Sequence, residues 1–222
     1  AVEGDDPAAH AISVSAAISQ FTPIIQRGGY DYVVTIGDRF EAVGAAIAAA
    51  YTKNCIVHIQ GGERSGTIDE SNRWAITSYA HYHVPATDVA YDRLVSAGVP
   101  DNMVLAVGCP VATLAKNVRM RTPTSMRCVM AYHGVWTDPD GKDTHAVRCM
   151  LRLASELSGA GIRTTFLWPN SDAGHSAIRK AMSQASGYVR LVKNVSPHHY
   201  QVMLCEAALC VGNSSSFIRD TS

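Results

Sequence analysis

The sequence predicts an α/β protein built from two parallel-sheet halves, and three observations predict it. Short apolar runs, nearly continuous and rich in Val and Ile, alternate with helix-length segments, the pattern of strands covered on both faces. The alternation is interrupted once, by the basic, proline-containing "AKNVRMRTPT" over 115–124, and then restarts. Apolar residues make up 47% of the 222 and charged residues 17%, which is enough to fill a core in each half and excludes a disordered chain.

In the first half, "GDDPAAHA" opens a helix over 8–27, with an acidic cap region and Pro7 early in the first turn. "DYVVTIGD" (31–38), "CIVHIQ" (55–60), "YHVPAT" (82–87) and "MVLAVG" (103–108) read as strands. Helices over 40–52, 69–80 and 88–97 separate them, and Pro110 suits the first turn of a short helix. In the second half the strands are "RCVMAYH" (127–133), "TTFLWPN" (164–170), "YVRLVKN" (188–194) and "ALCVGN" (208–213). Helices fall over 143–158, from 174 and from 197. The repeated unit is βαβ, twice over, which predicts two Rossmann-like domains: 1–115 and 126–222, joined by a linker at 116–125. The chain does not begin with Met and stops at "GNSSSFIRDTS", where a helix is starting, so both halves read as incomplete at the chain ends.

Composition narrows the function. Nineteen basic and 19 acidic residues cancel, which argues against a nucleic-acid partner bound by phosphate neutralisation. No apolar run approaches a membrane span, and the acidic start "AVEGDDPAAH" has no signal-peptide core, so no membrane partner and a cytoplasmic protein are expected. The six cysteines, Cys55, Cys109, Cys128, Cys149, Cys205 and Cys210, sit mostly in apolar segments without a C-x-x-C pair, and read as buried free thiols. The pairs His81/His83 and His198/His199 lack a third ligand at sensible spacing, so neither a metal nor a cofactor is expected. Trp74, Trp136 and Trp168 read as packing residues.

Open parallel sheets bind ligands at the carboxyl ends of their strands. There this chain places Asp38-Arg39-Phe40-Glu41, then Glu63 and Asp69 in "HIQGGERSGTIDE", then His133, Asn170-Ser171-Asp172 and Gly212-Asn213-Ser214-Ser215-Ser216. "VGNSSSFIRD" offers helix-start amides and serine hydroxyls to an anion, or else is an ordinary serine cap. Asp38 alone reads as a helix cap and Glu63 as a turn residue. With Asp69 they form three carboxylates on neighbouring strand ends, the raw material of acid/base chemistry.

These stretches resemble the UDP-N-acetylglucosamine 2-epimerases, and within them the hydrolysing branch. The epimerase half of the bifunctional 2-epimerase/ManNAc kinases is the nearest likeness. The resemblance runs through "EGDD" (3–6), "GDRFEA" (37–42), "HIQGGERSGTIDESNRWAIT" (58–77), "AHYHV" (80–84), "GCP" (108–110), "WPNSDAG" (168–174) and "VGNSSSFIRD" (211–220). It implies a GT-B fold, two Rossmann-like domains facing across a cleft that holds the UDP-sugar, and a homo-oligomer. It implies that UDP is eliminated from UDP-GlcNAc and that water then adds to release ManNAc. By that likeness Asp38, Glu63 and Asp69 are the acid/base carboxylates and His133 contacts the departing phosphates. Ser214 and Ser215 bind the diphosphate, and Arg39, Asn170, the backbone of Val195 and Asp220 make further nucleotide contacts.

Several positions depart from the family pattern. Phe217 stands where a glycine is usual, Asp220 where a glutamate is, and "HGVWTD" replaces "H-P-V-T" after the histidine. The family's opening strand and closing Gly/Arg-rich segment are not in this chain, so turnover by these residues alone is not expected. Three other readings compete: a non-hydrolysing epimerase returning UDP-ManNAc, a GT-B glycosyltransferase, and a non-catalytic nucleotide-sugar module.

Overall fold

The computed structural model describes residues 6–112, 126–135, 142–185 and 187–219. The chain divides into two compact units, Ala1–Pro110 and Val111–Ser222. The linker expected at 116–125, together with Trp136 and Asp220, lies outside the described residues.

The first unit opens with α1, Pro7–Gly28, capped by Asp6, whose carboxylate accepts from the Ala9 amide at 2.8 Å. It continues β1 (Tyr32–Ile36), α2 (Phe40–Tyr51), β2 (Cys55–Ile59), α3 (Ile68–Tyr79), β3 (Tyr82–Val84) and α4 (Asp88–Ser96). The three strands are parallel in the order β1-β2-β3. Alanine-rich α1 and α2 pack together, and α2 presses Ala48 and Ala49 onto Ile56 of β2 beside Ile25 of α1.

Four expectations change here. The strand read over 103–108 shrinks to one parallel bridge, Val104 to His83, with the Leu105 amide donating to the His83 carbonyl at 2.8 Å. Pro85 ends β3 after three residues and has no N–H to extend the ladder, while Gln60 takes the Val84 carbonyl. The covering of both sheet faces holds only in part, because Tyr32, Val34 and Ile36 on one side of β1 are more than half exposed. The segment Ala8–Gly28, with mean hydropathy 1.3, is long and apolar enough to cross a bilayer by length and composition, contrary to the expectation of no such run. Ile12, Ile18, Ile24 and Ile25 contribute most of that hydropathy.

The second unit runs β4 (Arg127–Ala131), α5 (Lys142–Gly159), β5 (Arg163–Leu167), α6 (His175–Met182), β6 (Val189–Val192), α7 (Pro197–Cys205), β7 (Leu209–Gly212) and α8 (Ser216–Arg219). Its four strands are parallel in the order β6-β5-β4-β7. Cys128, Met130 and Phe166 of the sheet meet Val147, Met150 and Leu151 of α5 and Ile178 and Met182 of α6 in a dry core. β7 lies so close to β4 that a Cβ on Gly212 would stand 1.7 Å from the Ala131 carbonyl oxygen, so only glycine fits there. The α/β class and the parallel sheets read from the sequence are those of the molecule.

All six cysteines are unpaired. Only Cys128 is fully buried, and burial pushes its thiol up to about 11; Cys149, on the outer face of α5, is exposed, which corrects the uniform reading as buried thiols.

Candidate functional site

In the first unit the strand ends carry the chemistry. β1 turns at Gly37 and delivers Asp38. That turn is pinned from below by His58 of β2, whose Nε2 lies 2.8 Å from the Gly37 carbonyl oxygen and whose Nδ1 lies 3.1 Å from Thr77 Oγ1. A carbonyl only accepts, so Nε2 carries the proton and the Thr77 hydroxyl donates to Nδ1. His58 is 0% exposed, and desolvation, against the opposing Gly37 hydrogen bond, lowers its pKa to about 4. The ring is therefore neutral at physiological pH.

Asp38 does not cap α2, whose cap residue is Arg39 without a side-chain bond. Instead Asp38 forms an ion pair with Arg73 of α3. The same guanidinium donates from Nη1 to the Glu63 carbonyl at 2.8 Å and to Ser65 Oγ at 3.4 Å. Arg73 is 4% exposed.

The loop between β2 and α3 closes on itself. Thr67 caps α3, accepting from the Asp69 amide at 3.3 Å, and Glu70 reaches back to accept from the Gly66 and Ser65 amides at 2.8 and 3.1 Å. Those amides, Gly66 first, hold the Glu70 carboxyl below its usual range. Gly62, at φ +79°, has no room for a side chain: a Cβ would meet the Ala90 carbonyl oxygen at 2.3 Å. Glu63 and Asp69 are both half-buried, and Asp69 also accepts from the Thr67 hydroxyl at 3.3 Å. Asp38 and the Glu63 backbone thus meet on Arg73 at the carboxyl ends of β1 and β2, while Asp69 bonds its own cap residue in the first turn of α3. Arg39 points its guanidinium at Glu41, at 3.2 and 3.4 Å, over the Phe40 ring.

The second unit gathers a different set. Asn213, after β7, clamps the backbone of His133, after β4: its Oδ1 accepts from the His133 amide at 2.9 Å and its Nδ2 donates to the His133 carbonyl at 2.8 Å. The Asn170 amide donates to His133 Nδ1 at 3.2 Å, so a neutral His133 carries its proton on Nε2, as a donor. Asp143 of α5 braces the same loop through Tyr132 Oη and the Val135 amide. Ser214 and Ser216 share a hydrogen bond at 2.7 Å, and Tyr200 bonds Ser216 in turn. Ser215 is exposed at the start of α8, beside half-buried Phe217.

Val195 is apart from these. It lines a groove of about 800 Å³ with His199, Met203 and residues such as Arg127, Gly161 and Arg163, from the opposite ends of the strands. This groove is therefore not where His133, Asn170 and Asn213 meet, and the strand ends, with their converging polar groups, are the better candidate. Among the described residues no group of three or more His, Cys, Asp or Glu stands close enough to hold a metal ion.

A family profile, UDP-N-acetylglucosamine 2-epimerase, matches residues 2–221. The chain belongs to that family. It is 30% identical over 212 residues to the UDP-N,N'-diacetylbacillosamine 2-epimerase (hydrolyzing) of Legionella pneumophila, covering 89% of this chain and 55% of the relative. It is also 30% identical over 201 residues to the UDP-N-acetylglucosamine 2-epimerase of Neisseria meningitidis, covering 86% and 52%. The chain thus spans about half the length of the curated relatives it matches. The Methanocaldococcus jannaschii UDP-GlcNAc 2-epimerase, solved in complex with UDP-GlcNAc and UDP, superposes with a TM-score of 0.74 at 14% identity, over 95% of this chain and 62% of that one. That likeness shows a common fold, and the family resemblance read from the motifs holds.

The sequence reading gave no role to Arg73, His58, Thr77 and Tyr200, and named Asn213 only as part of the polar end of β7. Two carried a signal. Arg73 falls on the same helix face as Ile76 and Thr77, three and four residues on, where a charged residue needs a buried partner. His58 shares the buried side of β2 with Ile56, two residues before it.

Proposed function

We propose that this chain is the core of a hydrolysing UDP-GlcNAc 2-epimerase, a soluble cytoplasmic enzyme acting as a homo-oligomer in amino-sugar synthesis and needing no cofactor. The observation that carries this is the placing of Asp38 and Glu63 after adjacent parallel strands, with Asp38 and the Glu63 backbone held by one guanidinium, and of Asp69 in the first turn of the helix that carries it. A carboxylate of this set removes the C2 proton of the sugar, the C1–O bond breaks, and UDP leaves with the bonding pair. The product is an unsaturated glycal. Water then adds across that double bond, its hydroxyl to C1 and a proton to C2 from the other face, which gives ManNAc. Two carboxyl groups in opposite protonation states serve these two transfers.

His133, with its proton on Nε2, donates to the departing phosphate oxygens, and Ser214 and Ser215 offer hydroxyls to the same diphosphate. Arg39, Asn170, the Val195 backbone and Asp220 complete the nucleotide contacts. The relative from Legionella, named as hydrolysing, supports water over UDP as the second-step nucleophile. Its name also motivates a second sugar, which carries a 4-acetamido group in place of the 4-hydroxyl and lacks the 6-hydroxyl.

The test is a coupled assay on the longest natural chain containing these residues. UDP-GlcNAc and UDP-N,N'-diacetylbacillosamine are supplied in parallel, and released UDP and free sugar are scored separately. Equimolar UDP and ManNAc are expected from UDP-GlcNAc, with Glu63→Gln lowering turnover by roughly 100-fold or more. UDP-ManNAc without free sugar moves the protein to the non-hydrolysing reaction. Tight UDP binding with no turnover of either sugar leaves a binding module.

A further inference from the structure

We infer that Arg73 is the positioning residue of the acid/base centre: one buried guanidinium sets the Asp38 carboxylate and the Glu63 loop in a single frame. This rests on the epimerase reading above. Arg73 sits one turn beyond Asp69 on α3, so the helix that carries the third carboxylate also carries the tie to the other two. Its Nη2 engages Oδ2 of Asp38, and its Nη1 holds the Glu63 carbonyl and the Ser65 hydroxyl. Two separate segments, after β1 and after β2, are thereby fixed to one rigid, planar group carried by α3. His58 holds Gly37, so Asp38 is fixed through its backbone as well as its side chain.

Packing does not account for this arginine. Its Nε is buried with no hydrogen-bond partner among the described residues, a cost that an apolar side chain of similar volume avoids. What an apolar side chain cannot do is orient a carboxylate. With Oδ2 engaged by Arg73, proton transfer falls to Oδ1, and the direction of that oxygen is set by the guanidinium plane. Glu63 is held differently, through its main-chain carbonyl, which fixes its Cα. One residue thus places both carboxylate-bearing segments.

The experiment uses the longest natural chain, with Arg73→Lys, Arg73→Ala and, as a reference, Asp38→Asn. kcat and KM for UDP-GlcNAc are measured with the unfolding temperature of each variant. Arg73→Ala is expected to lower kcat by roughly 100-fold, the scale of a misplaced catalytic group, while KM stays within about threefold. Arg73→Lys keeps the charge beside Asp38 but cannot fork to the Glu63 carbonyl, so its kcat falls between the two. Millimolar guanidinium restores part of the Arg73→Ala rate, which a merely structural defect would not show. Three results overturn the inference: variant kcat equal to wild type, loss confined to KM, or a loss in which lysine fares no better than alanine and guanidinium rescues nothing. Where alanine fails to fold, the lysine variant alone decides by the same kcat-against-KM comparison. A wild-type chain silent on UDP-GlcNAc sinks the epimerase reading itself and this inference with it, whereas normal wild-type turnover with active Arg73 variants sinks this inference alone.

Discussion

His58 shows how much of the carboxylate site is set by a residue that never meets the substrate. It is fully buried, bonded on both ring nitrogens, and its pKa falls from 6.5 to about 4. The groups facing it are His83 on β3 and Arg73, which oppose its protonation, and Asp38, which favours it, but burial is the dominant cause. In the unfolded chain the ring titrates near 6.5, so between that value and about 4 the unfolded state binds one more proton than the folded state. The stability contributed by neutral His58 is complete above 6.5, shrinks as pH falls through this window, and changes no further below about 4. A shift of that size corresponds to about 3 kcal/mol. Urea unfolding followed from pH 7.5 to 4 is expected to show this loss, and a His58→Gln variant a flatter profile over the same range. Equal slopes for both proteins would mean that His58 titrates normally. Sequence alone hid this because the bond to Gly37 spans 21 positions, and that to Asn213 from His133 spans 80.

At the scale of elements, the loop from Gly61 to Thr67 is ordered by the helix that follows it. Thr67 and Glu70 have the spacing of a capping box, and the sequence "TIDE" made a helix start there legible. The structure alters the detail. Glu70 accepts from Ser65 and Gly66, one and two residues before the cap, so the box reaches out to hold the loop as well as the helix. The start of α3 and the placement of Glu63 are therefore coupled through a few backbone amides. Replacing the cap, Thr67→Ala, is expected to cost about 1 kcal/mol in urea unfolding. It should also speed amide exchange at Ser65 and Gly66 beyond that of distant β5. A stability loss with unchanged exchange in the loop would show that cap and loop are independent. The same scale explains the strand errors: apolar runs marked where strands lie, but only the ladder partner decides length, as Pro85 does for β3.

At the scale of the molecule, the repeated βαβ rhythm made two units legible, because strand and helix periods differ and each half carries its own apolar stock. The two units hold chemically different residues. The first has carboxylates with one buried arginine. The second has amides, hydroxyls and a histidine that presents an N–H, a set suited to phosphate oxygens rather than to carbon acids. This division predicts where the leaving group alone should bind. Hydrogen exchange with saturating UDP is expected to slow amides over 132–135, 170–175 and 213–219, and to leave Gly61–Arg73 at the rates of the unliganded protein. Phe217→Gly is expected to strengthen that protection by removing a ring that crowds the diphosphate, since Ser214, Ser215 and Ser216 before it keep their hydroxyls. Protection appearing instead over Gly61–Arg73 would reverse the assignment. The carboxylates would then be nucleotide ligands, and the proton-transfer chemistry would have to be sought among the residues around His133.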